Sequence, residues 1–96
     1  MRLKTVEKNS IKEIIDRHYN SAAIYIFGSR VDASKKGGDI DLYILLDTKP
    51  HFLDKPKLLA SLKRAIGEQK IDIVFGYPEK KIGLIDKEAL SKGIKL

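Results

Sequence analysis

Three apolar runs of strand length recur along the chain. Residues 22–27 are six apolar residues, residues 39–46 begin by alternating Asp with apolar residues, and residues 70–75 carry one Asp among large apolar side chains. β-Branched and aromatic residues favour strands, and successive side chains of a strand point to opposite faces. The pattern therefore predicts three strands that share one core.

Between these runs the apolar residues recur at helical spacing. Two longer helices are predicted, over residues 5–19 and from Asp54 to a stop at Gly67. Shorter helices are predicted at 29–34 and at 86–91, the second capped by Asp86 and stopped by Gly93. Residues 94–96 can add an edge strand. The predicted order is helix, strand, helix, strand, helix, strand, helix, with no repeat or linker dividing it.

Length and composition limit what this chain can be. Its 96 residues suit one modest core, so we expect a single domain over residues 1–96. There is no cysteine, which excludes disulfides, thiolate metal sites and cysteine nucleophiles. No apolar run approaches the length of a membrane span and the N-terminus has no apolar signal core, so we expect a cytoplasmic protein without membrane contact.

The charge balance is basic, with 19 Lys and Arg against 13 Asp and Glu and a formal charge of +6. Such a field attracts ATP, nucleic acid or an acidic protein, and charge alone does not separate these partners. Direct nucleic-acid binding is the weakest of the three, because the chain has no arginine-rich helix and no evident aromatic platform.

The most informative stretch runs from the end of the first strand to the start of the second. Gly28 and Ser29 follow the first strand, where glycine permits a sharp turn close to a ligand and serine opens a helix whose free N–H groups attract phosphate. Asp39 and Asp41 share one face of the second strand. Paired carboxylates with phosphate oxygens are typical ligands of Mg²⁺, so this stretch predicts a metal and triphosphate site.

A third carboxylate, Asp72, is predicted to join them from the third strand. It lies between large apolar residues in Ile71–Phe75, where burying an isolated charge is costly unless a cation or hydrogen-bond donors compensate. We therefore expect a buried Asp72 with a partner in the site.

Gly-Ser, an Asp-x-Asp about ten residues later, and a lone Asp on a later strand together resemble the DNA polymerase β-like nucleotidyltransferases. A chain this short is most similar to their minimal members, commonly encoded beside a HEPN-domain partner as its antitoxin. The resemblance covers roughly Ile11 to Leu96. It implies an α/β (α+β) nucleotidyltransferase fold, with a small mixed β-sheet flanked by helices in the order αβαβαβα.

The resemblance also implies roles for particular residues. Asp39, Asp41 and Asp72 are expected to be catalytic and to bind the metal, with Asp72 holding a second ion or helping to deprotonate the acceptor. Gly28, Ser29 and Arg30 are expected to contact the triphosphate. The implied cofactor is Mg²⁺, expected as two ions, and the implied nucleotide substrate is ATP.

The activity so implied is transfer of AMP from ATP to a hydroxyl of a protein partner, a HEPN-type toxin that the modification silences. Two alternatives stay open: an antitoxin that neutralises its partner by binding alone, and nucleotidylation of a small hydroxyl compound such as an aminoglycoside. The sequence leaves the acceptor hydroxyl undetermined, and it is compatible with either a homo-oligomer or a hetero-oligomer.

Overall fold

The computed structural model describes residues 5–28, 40–67 and 70–96. These residues form a four-stranded sheet with helices on both faces. In chain order the elements are α1 (Thr5–His18), β1 (Ala22–Phe27), β2 (Ile40–Leu46), α2 (Asp54–Ile66), β3 (Ile71–Gly76), α3 (Leu84–Lys92) and β4 (Ile94–Lys95). The helix predicted at 29–34 and the predicted site residues Ser29, Arg30 and Asp39 lie outside the described residues.

The sheet is mixed, with strand order β3-β2-β1-β4. β1 is antiparallel to both β2 and β4, whereas β2 and β3 are parallel. The parallel pair requires a crossover, and α2 provides it between β2 and β3. The predicted α/β (α+β) class with a small mixed sheet is therefore confirmed, and the edge strand expected over residues 94–96 is β4.

The larger core lies between α1, α2 and one face of the sheet. Every second residue of β2 points into it, and β1, β3 and the two helices contribute further aliphatic side chains. Its fully buried members include Ile11, Ile15, Leu42, Leu58 and Leu62. The aliphatic stripes of both helices thus face the sheet, as their spacing predicts.

A smaller core lies on the opposite face, beneath α3. Phe27, Tyr43 and Ala89 are buried there, and Tyr25 and Val74 pack against them. Because these strand residues occupy the positions between those of the larger core, the sheet is covered on both faces over part of its length.

The predicted start of the last helix was wrong. α3 begins at Leu84 rather than Asp86, because the Gly83 N–H donates to Asp86 Oδ2 at 2.9 Å. Asp86 thus lies in the first turn and accepts a hydrogen bond from the residue before the helix, instead of preceding the helix as its cap.

In the ranges that the structure covers, no helix combines the length and the apolar character needed to cross a bilayer.

We predict that Leu62→Ala lowers the free energy of unfolding by about 2–5 kcal/mol, because Leu62 is fully buried and its truncation leaves a cavity. Leu84→Ala is the matched control: Leu84 also lies in a helix but is 84% exposed, so its loss should change stability by about 0.5 kcal/mol or less. Urea unfolding measures both. Equal losses would show that the larger core is misassigned.

Candidate active site

Three strand ends meet at one end of the sheet. β1 finishes there, and β2 and β3 start there, because β1 runs antiparallel to β2 and β2 runs parallel to β3. Asp41 pairs with Phe27 on one side and with Asp72 on the other. Side chains of register partners point to the same face, and neighbouring strands are about 4.8 Å apart. The two carboxylates therefore project side by side, on the face that also carries α3.

The turn that follows β1 comes close to one of these carboxylates. Gly28 has φ +77°, a left-handed conformation that side chains disfavour. A Cβ at Gly28 would lie 3.2 Å from Asp41 Cγ and closer still to Asp41 Oδ2. Glycine is thus required here twice, for its backbone conformation and for the space that the Asp41 carboxylate occupies.

The two carboxylates differ in exposure. Asp41 is half-buried, whereas Asp72 is exposed. The expectation of a buried Asp72 was wrong: Ile71 and Ile73 point into the larger core, and alternation turns Asp72 to the opposite face of the edge strand β3. The cost of burial therefore does not explain this acid, and its exposure instead makes it accessible to a bound ligand.

This arrangement suits a hard divalent cation. Two adjacent carboxylates repel each other, and a shared cation relieves that repulsion. Their oxygens are the donors that Mg²⁺ prefers, with the remaining positions left to water and phosphate. Within residues 5–28, 40–67 and 70–96 no group of three or more potential metal ligands occurs. The described part of the site is thus the pair Asp41 and Asp72.

The structure brings together three of the six predicted site residues, namely Gly28, Asp41 and Asp72. Asp39 stays a prediction: by the alternation of an extended strand it would share the face of Asp41. Ser29 and Arg30 likewise stay predicted phosphate contacts.

Sequence reasoning missed a buried polar network further along the same face. Tyr43, two residues after Asp41, donates its hydroxyl to Asp86 Oδ1 at 2.8 Å. Lys80 Nζ donates to the same Oδ1 at 3.0 Å and to the Phe75 carbonyl at 2.6 Å. Tyr43 is fully buried and Asp86 is 3% exposed. The available signal was the period-two spacing of Tyr43 from Asp41, which places both on one face.

The network shifts the pKa values of its members. Burial acts to raise the pKa of Asp86, but hydrogen bonds from the Gly83 N–H, the Tyr43 hydroxyl and Lys80, together with the Lys80 charge, lower it to about 2. Burial and the hydrogen bond to Asp86 raise the pKa of Tyr43 to about 12. The ground state is therefore an ionised Asp86 that accepts from a neutral Tyr43 and a charged Lys80.

Comparison with known proteins gives one family. The family model described as "Polymerase beta, Nucleotidyltransferase" matches residues 9–96, which include all three strands of the site. No curated protein sequence matches this chain significantly.

We predict that Gly28→Ala displaces the Asp41 carboxylate and so weakens Mn²⁺ binding measured by calorimetry. Gly67→Ala is the matched control, because Gly67 also has positive φ, +90°, but of the atoms that the structure describes none lies within 4 Å of the position that a Cβ would take there. Both variants should lose about 1–3 kcal/mol of stability through backbone strain. Only Gly28→Ala should lose metal affinity, and equal affinities would contradict the role of the turn.

We predict that the chain loses roughly 2 kcal/mol of stability as pH falls from about 4 to about 2. The pKa of Asp86 is about 2 when folded against an ordinary 3.8, so its stabilising effect is present above the unfolded value and lost as it protonates. Urea unfolding across this pH range measures the slope. The Asp86→Asn variant should be less stable at neutral pH, and its free energy of unfolding should change less between about pH 4 and about pH 2. If that change is the same as in the unaltered chain, the acid-sensitive group is a different residue.

Proposed function

Because this chain belongs to the polymerase β nucleotidyltransferase family, we propose that it transfers AMP from ATP to a hydroxyl of a protein partner, a HEPN-type toxin whose activity the modification silences. The observation that carries the proposal is the register of Asp41 with Asp72 beside the Gly28 turn. A carboxylate pair next to a tight glycine turn is the arrangement that a metal-bound triphosphate needs.

In the proposed reaction the acceptor oxygen bonds to the α-phosphorus, the bond from that phosphorus to the pyrophosphate oxygen breaks, and pyrophosphate leaves. Asp41 and Asp72, with Asp39, would hold Mg²⁺, which neutralises charge on the phosphates when bound. Asp72 is exposed and is therefore open to an acceptor from solvent. We propose that Asp72 accepts the proton of the acceptor hydroxyl. The half-buried Asp41 would bind the metal from the less exposed side of the site.

Two observations support a macromolecular acceptor. The described residues are used almost entirely to build one sheet and three helices, so these residues leave little for an acceptor pocket of their own. The site also lies at an end of the sheet where Asp72 is exposed, which is open enough for a protein side chain to approach. The excess of basic residues, with formal charge +6, favours a partner with an acidic surface.

We predict that incubation with ATP, Mg²⁺ and the product of the adjacent gene, proposed to be a HEPN-domain protein, adds one adenylyl group per modified hydroxyl of that product, detected by intact-mass spectrometry. Asp41→Asn should reduce the rate by about two orders of magnitude or more, since it removes a charge that stabilises the transition state. Asp47→Asn is the matched control: it makes the same change at the exposed residue that follows the other end of β2 and should leave the rate unchanged.

The outcomes separate the alternatives. Tight complex formation with no mass change under any nucleoside triphosphate would favour an antitoxin that acts by binding alone. A mass gain on an aminoglycoside or another small hydroxyl compound, with none on the protein, would favour small-molecule nucleotidylation. Normal activity in Asp41→Asn would show that the site is misassigned.

A further inference from the structure

Helix α3 packs on the same sheet face as the candidate site. Ala89, in the middle of the helix, is fully buried against Phe27 and Tyr43. At its C-terminal end the chain passes close to β1, because a Cβ at Gly93 would lie 3.2 Å from the Ile26 carbonyl oxygen. The helix therefore crosses from the network at its first turn to the strand that ends at the site.

The first turn of α3 is fastened by the ionised Asp86. Oδ1 accepts from Tyr43 and Lys80, and Oδ2 accepts from the Gly83 N–H. Tyr43 in turn fits closely over the end of β3, where a Cβ at Gly76 would lie 2.6 Å from Tyr43 Cζ. One carboxylate thus joins the helix to both β2 and, through Lys80 and the Phe75 carbonyl, β3.

A short path leads from this network to the site. Tyr43 and Ala89 hold the buried Phe27 side chain, and Phe27 is both the register partner of Asp41 and the residue before Gly28. Gly28 in turn lies so close to Asp41 that the Asp41 carboxylate occupies the space that a side chain at residue 28 would need. A shift of α3 or of the Tyr43 ring would therefore move Phe27 and change the approach of Gly28 to Asp41.

Stability alone is a weak explanation for such a network. Removing the Asp86 charge from water is costly, and a buried or part-buried ion pair is often no more stabilising than well-packed apolar residues of similar volume. Apolar side chains at positions 80 and 86 could also hold α3 on the sheet, but apolar contacts would not fix the orientation of the helix. The Gly83 N–H fixes the carboxylate within its own turn, while Tyr43, and Lys80 through the Phe75 carbonyl, tie that turn to β2 and β3. These directional bonds set the position and orientation of the helix on the sheet, which a site built on close contacts requires.

We propose that Asp86, with Tyr43 and Lys80, is a positioning group for the carboxylate site: it fixes α3, and through Phe27 it holds the Gly28 turn against Asp41. The link to catalysis rests on the proposed function, whereas the link to the geometry of the turn does not.

The test compares two tyrosines that each lose one hydroxyl. Tyr43 donates to Asp86 and Tyr19 donates to Asp54, both at 2.8 Å, but Tyr19 packs on the larger core, on the opposite face of the sheet. Tyr43→Phe and Tyr19→Phe therefore each remove one tyrosine–aspartate hydrogen bond of the same length, buried at Tyr43 and part-buried at Tyr19, from opposite faces. Urea unfolding of both variants establishes how far their global stabilities differ.

The first readout is hydrogen exchange of the metal-free protein over residues 24–28 and 40–44. In conditions where global unfolding is matched, Tyr43→Phe should speed exchange there by about tenfold through local opening, and Tyr19→Phe should not. The second is binding of ATP with Mn²⁺ and, with the product of the adjacent gene added as acceptor, turnover of that ATP. Tyr43→Phe should lower metal affinity or turnover by about tenfold, as loss of a group that orients ligands does, and Tyr19→Phe should leave both within about twofold.

Equal exchange and equal nucleotide behaviour in the two variants would overturn the positioning role and leave the network purely structural. If the unaltered chain neither binds nor uses ATP, the proposed function fails, but the exchange comparison still decides the geometric link. Should Tyr43→Phe fail to fold, Lys80→Met makes the same comparison from the more exposed side of the network, where the Lys80 side chain is 26% exposed.

Discussion

The parallel pairing of β2 with β3 is the constraint on which the rest of the candidate site depends. It places Asp41 directly beside Asp72 although the two lie far apart in sequence. Parallel strands cannot be joined by a tight turn, so α2 must cross the larger core between them. The apolar stripe of α2 is thus as necessary to the carboxylate pair as the carboxylates themselves. A register shift of one residue would send one acid into the aliphatic core.

The two faces of the sheet are stabilised in different ways. The larger core is aliphatic and is stabilised by the burial of branched side chains. The hydrophobic effect is not directional, so this burial does not by itself fix the orientation of the helices. Beneath α3 fewer side chains are buried, and an ionised carboxylate, a tyrosine and a lysine add directional hydrogen bonds. A non-directional core determines which elements meet. The polar network can determine how closely they meet, and the site lies on that second face.

Membership of the nucleotidyltransferase family and the geometry of this chain constrain function at different levels. The family match spans nearly the whole chain and gives the class of activity. The structure adds which described residues lie together and how open they are, with Asp72 accessible and Asp41 held close to the Gly28 turn.

The sequence by itself determined the elements and their facing. The six-residue run of β1 was predicted with its observed bounds, and the alternation that sends Ile40 and Leu42 inward and Asp41 outward was correct. Such patterns are local: a strand's period of two and a helix's period of 3.6 follow from backbone geometry alone. Spacing and residue type therefore indicated which acids share a face, and Asp41 and Asp72 are register partners where three strand ends meet; their role as a metal site stays a prediction.

Other features were decided only by the tertiary structure. The burial of Asp72 was predicted from its apolar neighbours in sequence, but burial depends on what packs over a face, and at the edge strand Asp72 is exposed. Asp86 resembled a helix cap, since sequence cannot show that Tyr43 and Lys80 reach its carboxylate. Both errors have the same cause: exposure and hydrogen-bond partners are set by residues distant in the chain, which meet only when the sheet is assembled.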